Sequence, residues 1–146
     1  MLVHCLGHVV LKVRSLERSV PFYRDVLGLR EVARVDTRMV FFSIAGNHHD
    51  VALQCVGSDG PDAHSEALGL AHLALKIGND LTELRDAKAH LLAHDVQILR
   101  LRDHDVSQSI YFNDPDGNML EVFVESDPQR WHEDPTRVAT STELNL

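Results

Sequence analysis

At 146 residues and 44% hydrophobic content, the chain is long enough to bury one sizeable core or two small, intimate modules. Its formal charge of −8 lacks the basic footprint of a nucleic-acid binder, and no apolar run approaches the length of a membrane span. Two cysteines without paired spacing, Cys5 and Cys55, and no signal-like leader argue against a disulfide framework and predict a reducing, cytoplasmic setting.

The first strand-like stretch is residues 6–13, LGHVVLKV. Strand side chains alternate, so His8, Val10 and Lys12 share one face while Val9, Leu11 and Val13 share the other. Residues 15–28 then carry Val20, Phe22, Tyr23, Val26 and Leu27 at helical spacing, with Gly28 as a C-terminal stop. Pro21 suits a first turn, which predicts a regular helix from Ser19 after a looser lead-in. Strands are predicted over residues 29–36, 39–45 and 51–56, and residues 57–66 have linker composition. A second round follows. Residues 70–77 repeat the strand, Asn79 or Asp80 caps a helix running to Ala93, and strands are predicted over 96–101, 109–112 and 119–124.

The two rounds are an internal repeat. LGHVVLKV aligns without a gap on LAHLALKI, so that His8 answers to His72 and Lys12 to Lys76. Each round reads βαβββ. The predicted fold is therefore α+β, with two tandem βαβββ modules forming a curved, partly closed mixed sheet around a site, helices outside. The modules span 1–58 and 68–126 of a single domain, joined by a linker at 59–67, and residues 127–146 form a C-terminal tail.

Residues 109–125, SIYFNDPDGNMLEVFVE, read as a tight hairpin in which Glu121 opposes the seam of Leu120, Val122 and Val124. A carboxylate in mid-strand costs desolvation unless a cation, hydrogen bonds or water accompany it. The repeat sets Gln54 of ALQCV against Glu121 of MLEVF. A pseudo-twofold relation between modules would gather His8, His72, Gln54 and Glu121 on the helix-free faces. Two neutral imidazoles and one carboxylate form a facial triad suited to Fe(II) or another divalent ion, with coordination positions left open. A lone strand histidine is ordinarily a satisfied, partly buried residue, but two at corresponding positions beside a carboxylate favour the ligand reading. Lys12 and Lys76 read as solvent-reaching stems, Phe22 and Tyr23 as core, and His4, His64, His90, His94 and His132 as surface or loop residues.

The stretches GHVVLKV, SVPFYRDVLGL, GLAHLALKI and YFNDPDGNMLEV resemble the vicinal oxygen chelate superfamily over residues 6–125. That superfamily includes glyoxalase I, extradiol ring-cleaving dioxygenases, fosfomycin-resistance thiol transferases and bleomycin-binding proteins. Within it, the chain is most similar to one-domain, catechol 2,3-dioxygenase-like extradiol enzymes. Glyoxalase I usually has a fourth ligand, a glutamate, where this chain has Gln54. Extradiol enzymes need only two histidines and a glutamate, and add a further His, His and Tyr around the substrate. His49 in HHDVAL, His104 in DHDVSQSIYF and Tyr111 resemble these, although His104 lies closer to the tyrosine than in larger relatives. His49 is off the alternation relative to Gln54 and His48 is on it, but Gly46-Asn47 permits a bulge that resets the count. The residues 127–146 also resemble the tails of small members of that group.

The resemblance implies Fe(II), with Mn(II) as a second option, held by His8, His72 and Glu121. It implies a catecholic aromatic substrate and O2, ring opening beside the two hydroxyls, and a homo-oligomer. His49 would act as acid or base, and Tyr111 and His104 would hydrogen-bond the substrate. No nucleic-acid or membrane partner is expected. Two alternatives stand beside this: a non-oxidative metal enzyme of the same superfamily (lyase, isomerase or thiol transferase), and a metal-free small-molecule-binding resistance protein, against which the intact triad argues.

Overall fold

The alternation in the first repeat produces β1 (Val9–Val13) in a computed structural model of the protein that describes residues 1–59, 68–125 and 127–146. The chain divides into two compact units, Met1–His64 and Ser65–Leu146.

In the first unit, β1 leads into α1 (Leu16–Pro21) and a π-helical turn over Phe22–Val26. The expected start at Ser19 is corrected: the Ser19 N–H already donates to the Ser15 carbonyl at 3.1 Å, and burial of Leu16 draws the lead-in into the helix. Pro21 is the last α-helical residue rather than part of a first turn. It has no N–H to give the ladder, and just beyond it the turns widen, with Leu27 N–H reaching the Phe22 carbonyl at 3.0 Å. Gly28, at φ +72°, ends the helix as expected. Strands β2 (Arg30–Val35), β3 (Met39–Ser43) and β4 (Val51–Cys55) complete a sheet of order β1-β4-β3-β2, in which β1 and β4 run parallel. Leu11, Val13, Val40, Phe42 and Leu53 are buried on the face that α1 covers, where Tyr23 meets Phe42 at 6.1 Å between rings.

The second unit repeats this plan: β5 (Leu73–Gly78), α2 (Leu81–Ala93), β6 (Ile98–Asp103), β7 (Gln108–Asn113) and β8 (Met119–Val124). The tail then forms α3 (Arg130–Glu133), a 3-10 turn over Pro135–Ala139, and a short strand β9 (Thr142–Glu143). The sheet order is β5-β8-β7-β6-β9, so the tail supplies its fifth strand. Ile110, Phe112, Leu120, Val122 and Val124 pack beneath Leu84 and Leu91 of α2. The α+β class and tandem βαβββ plan are thus present as two mixed sheets of four and five strands, neither closed into a barrel.

The two sheets also share an irregularity. Register slips by one residue between Glu31 and Ala33 in β2 and between Ile98 and Arg100 in β6. Each bulge re-aims the strand beside the aromatic pair of its neighbour, Phe41-Phe42 or Tyr111-Phe112.

Helix α2 starts sharply because Asp80 and Glu83 form a reciprocal capping box. Asp80 accepts the Thr82 and Glu83 N–H groups at 2.7 and 3.2 Å, and Glu83 reaches back to the Asn79 and Asp80 N–H groups at 2.7 and 3.1 Å. Gly78 leaves room for this, since a Cβ there would meet the Glu83 carboxylate. Asp80→Ala should lower stability, because it removes the side-chain acceptor of this cap. Denaturant unfolding should show a lower midpoint at unchanged slope, and an unmoved midpoint would contradict the cap's role.

Candidate functional site

Glu121 sits in the middle of β8 and is only 6% exposed. Its strand lies between β5 and β7, and paired residues in a sheet point to the same side. Ladder pairing sets Ala74 and Tyr111 directly beside it. His72, one residue before β5, is on that same side and brings Nε2 to 3.0 Å from one Glu121 oxygen. The Ser109 hydroxyl donates to the other oxygen at 2.5 Å. Both carboxylate oxygens therefore have partners, and the desolvation expected of a mid-strand acid is offset locally.

Tyr111 faces Glu121 across the β7/β8 ladder and presents its ring edge-on to His72, 5.4 Å between centroids. Its hydroxyl lies 3.0 Å from His104 Nε2. Across the other ladder stands Arg100, whose guanidinium carbon is 4.4 Å from the Tyr111 ring centroid. Burial, with the Glu121 carboxylate beside it, pushes the Tyr111 phenol up to about 12, so the hydroxyl keeps its proton at neutral pH. The second unit thus brings together His72, Glu121, Tyr111 and His104, all expected from sequence, and adds Ser109 and Arg100, which were not.

In the first unit, His8 precedes β1 as His72 precedes β5. His49 packs against it at 4.4 Å between ring centroids and meets Phe41 edge-on at 5.2 Å. His48 lies on the other side of His49, Nδ1 to Nδ1 at 2.6 Å. The intervening chain is a loop, which resets the alternation as the Gly46-Asn47 pair suggested; Gly46 has φ +85°. Asp50 pins that loop by accepting the Ile44 N–H at 2.7 Å and the Asn47 amide at 2.6 Å. Desolvation, with His8 and His48 as neighbours, holds His49 below the ordinary imidazole value. Within either unit, no three of His, Cys, Asp or Glu among the described residues gather as a metal centre. The expected triad draws one ligand from the first unit and two from the second.

Register corrects the pairing of Gln54 with Glu121. Val10 pairs with Ala52, and its repeat counterpart Ala74 pairs with Glu121. Phe41 pairs with Ala52 just as Tyr111 pairs with Glu121. The counterpart of Glu121 is therefore the buried Ala52, and exposed Gln54 lies two residues further along. The signal was available in VFFS, residues 40–43, which matches IYFN, residues 110–113. By the same register Ala33 corresponds to Arg100. The first sheet keeps the histidine and replaces the other polar positions of the second by apolar ones.

Other expectations fall where the chemistry put them. Lys76 reaches Glu125 at 2.6 Å, His90 stacks on His94, and His132 stacks on Trp131. His64 lies outside the described residues. A cavity of about 450 Å³ in the second unit is lined by Lys88, residues 99–102 and residues 143–146. Of the site residues only Arg100 lines it; His72, Tyr111 and Glu121 do not.

Residues 5–122 match the family model of the Glyoxalase/Bleomycin resistance protein/Dioxygenase superfamily. The chain is 32% identical to a catechol-2,3-dioxygenase of Bacillus subtilis over 97% of its own length, and spans about half, 49%, of that relative. It is equally 32% identical to a metallothiol transferase FosB of Lysinibacillus sphaericus, over 83% of this chain and 82% of the relative. Among solved structures, a mutant of the fosfomycin resistance protein FosX of Listeria monocytogenes, in complex with Mn(II) and a dihydroxypropylphosphonic acid, is similar with TM-score 0.69 and 22% identity, covering 90% of this chain and 98% of that one.

Because the Tyr111 phenol is raised from 10 to about 12, the stability it contributes is fully present below pH 10 and is lost as pH rises through 12. In metal-free protein, the phenolate absorbance of the wild type minus that of Tyr111→Phe should appear near pH 12. A difference titrating near pH 10 would contradict the buried, carboxylate-flanked environment.

Proposed function

Since the chain belongs to the glyoxalase/bleomycin resistance protein/dioxygenase superfamily, we propose that it is a metal-dependent extradiol dioxygenase. The reaction is O2-dependent opening of a catecholic ring beside its two hydroxyls, with both oxygen atoms entering the product. The observation that carries this reading is the hydrogen-bonded His104–Tyr111 pair placed beside the His72–Glu121 pair. One pair suits a metal and the other suits protons. The Bacillus subtilis relative supports the same class.

The residues fit a divalent ion. An imidazole nitrogen and a buried carboxylate oxygen, aimed at each other at 3.0 Å, are a donor pair that a cation can enter in place of their hydrogen bond. His72 and Glu121 would hold it together with His8. Ala52 at the repeat position of Glu121 provides no fourth carboxylate, which favours three protein ligands and open positions over a four-ligand centre. When bound, the ion, Fe(II) with Mn(II) as the second choice, lowers the pKa of a catechol hydroxyl and lets electrons pass from the ring to O2.

The chain's own residues do the rest. Ser109 fixes the rotation of the Glu121 carboxylate. Tyr111, protonated at neutral pH, donates a hydrogen bond, and Arg100 holds its ring in place. His104 Nε2 accepts that hydrogen bond and so orients the hydroxyl. His49, neutral at physiological pH, takes up a proton from the substrate side and returns it to the product.

A second reading is a non-oxidative thiol transferase using the same three ligands. The FosB relative, matched over most of its length, favours it. Oxygen consumption separates the two. Anaerobically purified, Fe(II)-reconstituted protein given a panel of catechols should consume O2 stoichiometrically and form a coloured ring-opened product. Glu121→Ala should lose both. No uptake by protein carrying its full complement of Fe(II) would overturn the dioxygenase reading and leave the transferase.

A further inference from the structure

The segment after β8 touches the site through backbone rather than side chains. His104 lies in the loop between β6 and β7, and its Nδ1 stands 2.8 Å from the carbonyl oxygen of Thr140 in the tail. A carbonyl oxygen only accepts, so Nδ1 carries the proton. In a neutral imidazole Nε2 then has the lone pair, and at 3.0 Å it faces the Tyr111 hydroxyl. The next residue, Asp105, has φ +67°, a conformation that Asp and Asn tolerate better than most residues. Its carboxylate takes Arg130 Nη1 at 2.6 Å on one oxygen and Arg137 Nη1 at 2.5 Å on the other, and its carbonyl also accepts from Arg130. Both arginines come from the tail. Beyond them β9 pairs Thr142 with Asp103 and Glu143 with Arg102, completing the attachment.

We propose that the tail is the positioning element for His104. The Thr140 carbonyl selects the Nδ1–H tautomer, so that Nε2 accepts the Tyr111 hydrogen bond, and Asp105, gripped by Arg130 and Arg137, holds that carbonyl in register. Asp105, Arg130 and Arg137 are positioning residues that touch no reacting atom. The effect on turnover rests on the dioxygenase reading above, whereas the tautomer does not.

The tautomer can be read without substrate or metal. In nitrogen-15-labelled, metal-free protein, long-range proton–nitrogen correlation spectra distinguish Nδ1–H from Nε2–H in a neutral ring. The His104 signal is assigned by its loss in His104→Phe. The wild type should show His104 solely as Nδ1–H. Arg130→Ala/Arg137→Ala should add the Nε2–H form while the amide signals of β5 and β8 stay in place. If that double variant fails to fold, Asp105→Asn serves instead, because it removes the charge and keeps the left-handed backbone accessible. An Nε2–H ring in the wild type would overturn the proposal, as would a pure Nδ1–H ring in the folded variant. In the Fe(II) enzyme active on a catechol, the folded variant should lose about 10- to 100-fold in kcat with KM within about twofold. A fall in KM-linked binding at unchanged kcat would overturn the positioning role. Should no catechol turn over at all, the tautomer experiment still decides the proposal, so its failure and that of the dioxygenase reading are told apart.

Discussion

A carboxylate buried in the middle of a strand is the constraint around which the second unit is arranged. Taking Glu121 out of water costs several kcal/mol unless its oxygens are satisfied. Its satisfaction comes from two neighbouring strands at once, Ser109 on β7 and His72 at the start of β5. The parallel β5/β8 pair brings His72 alongside, and the antiparallel β7/β8 hairpin places Ser109 and Tyr111. If the ladder slipped by one residue, every one of these groups would turn to the helix side. The fully buried row of Ile110, Phe112, Leu120 and Val124 beneath α2 opposes that slip, so the apolar face specifies the polar one.

The repeat explains why one unit is rich in chemistry and the other spare. Equivalent ladder positions carry Tyr111 and Phe41, Glu121 and Ala52, Arg100 and Ala33, and the residues just before β5 and β1 are His72 and His8. The backbone plan, including the bulge, is common to both, and the side chains differ where function would differ. The first unit adds its own device, a loop pinned by Asp50 that stacks His49 on His8. The tail adds another by turning a backbone carbonyl toward His104.

Local signals made most of the fold legible. Alternation located the strands to within a few residues, Asn79-Asp80 announced the start of α2, and Gly28 marked the end of the first helix. Pro21 misled because proline is most at home in a first turn, yet here burial of Leu16 and Val20, both ahead of it, outweighed that preference and the chain adjusted by widening its turns. Gln54 misled because residue type was matched before register, and a glutamine looks more like a glutamate than an alanine does. Arg100 was hidden by the bulge at Leu99, which breaks the period that would have placed it opposite Tyr111. The Thr140 contact involves only main chain on the tail's side, and no residue type could have advertised it.

We propose that His72 and Glu121, with His8, act as a single set of metal ligands. Titration calorimetry of the metal-free protein with Mn(II), alongside His8→Ala, His72→Ala and Glu121→Ala, tests it most directly. One ion should bind per chain in the wild type, and each variant should lose binding while keeping cooperative thermal unfolding. Wild-type affinity in any one of the three folded variants would contradict it.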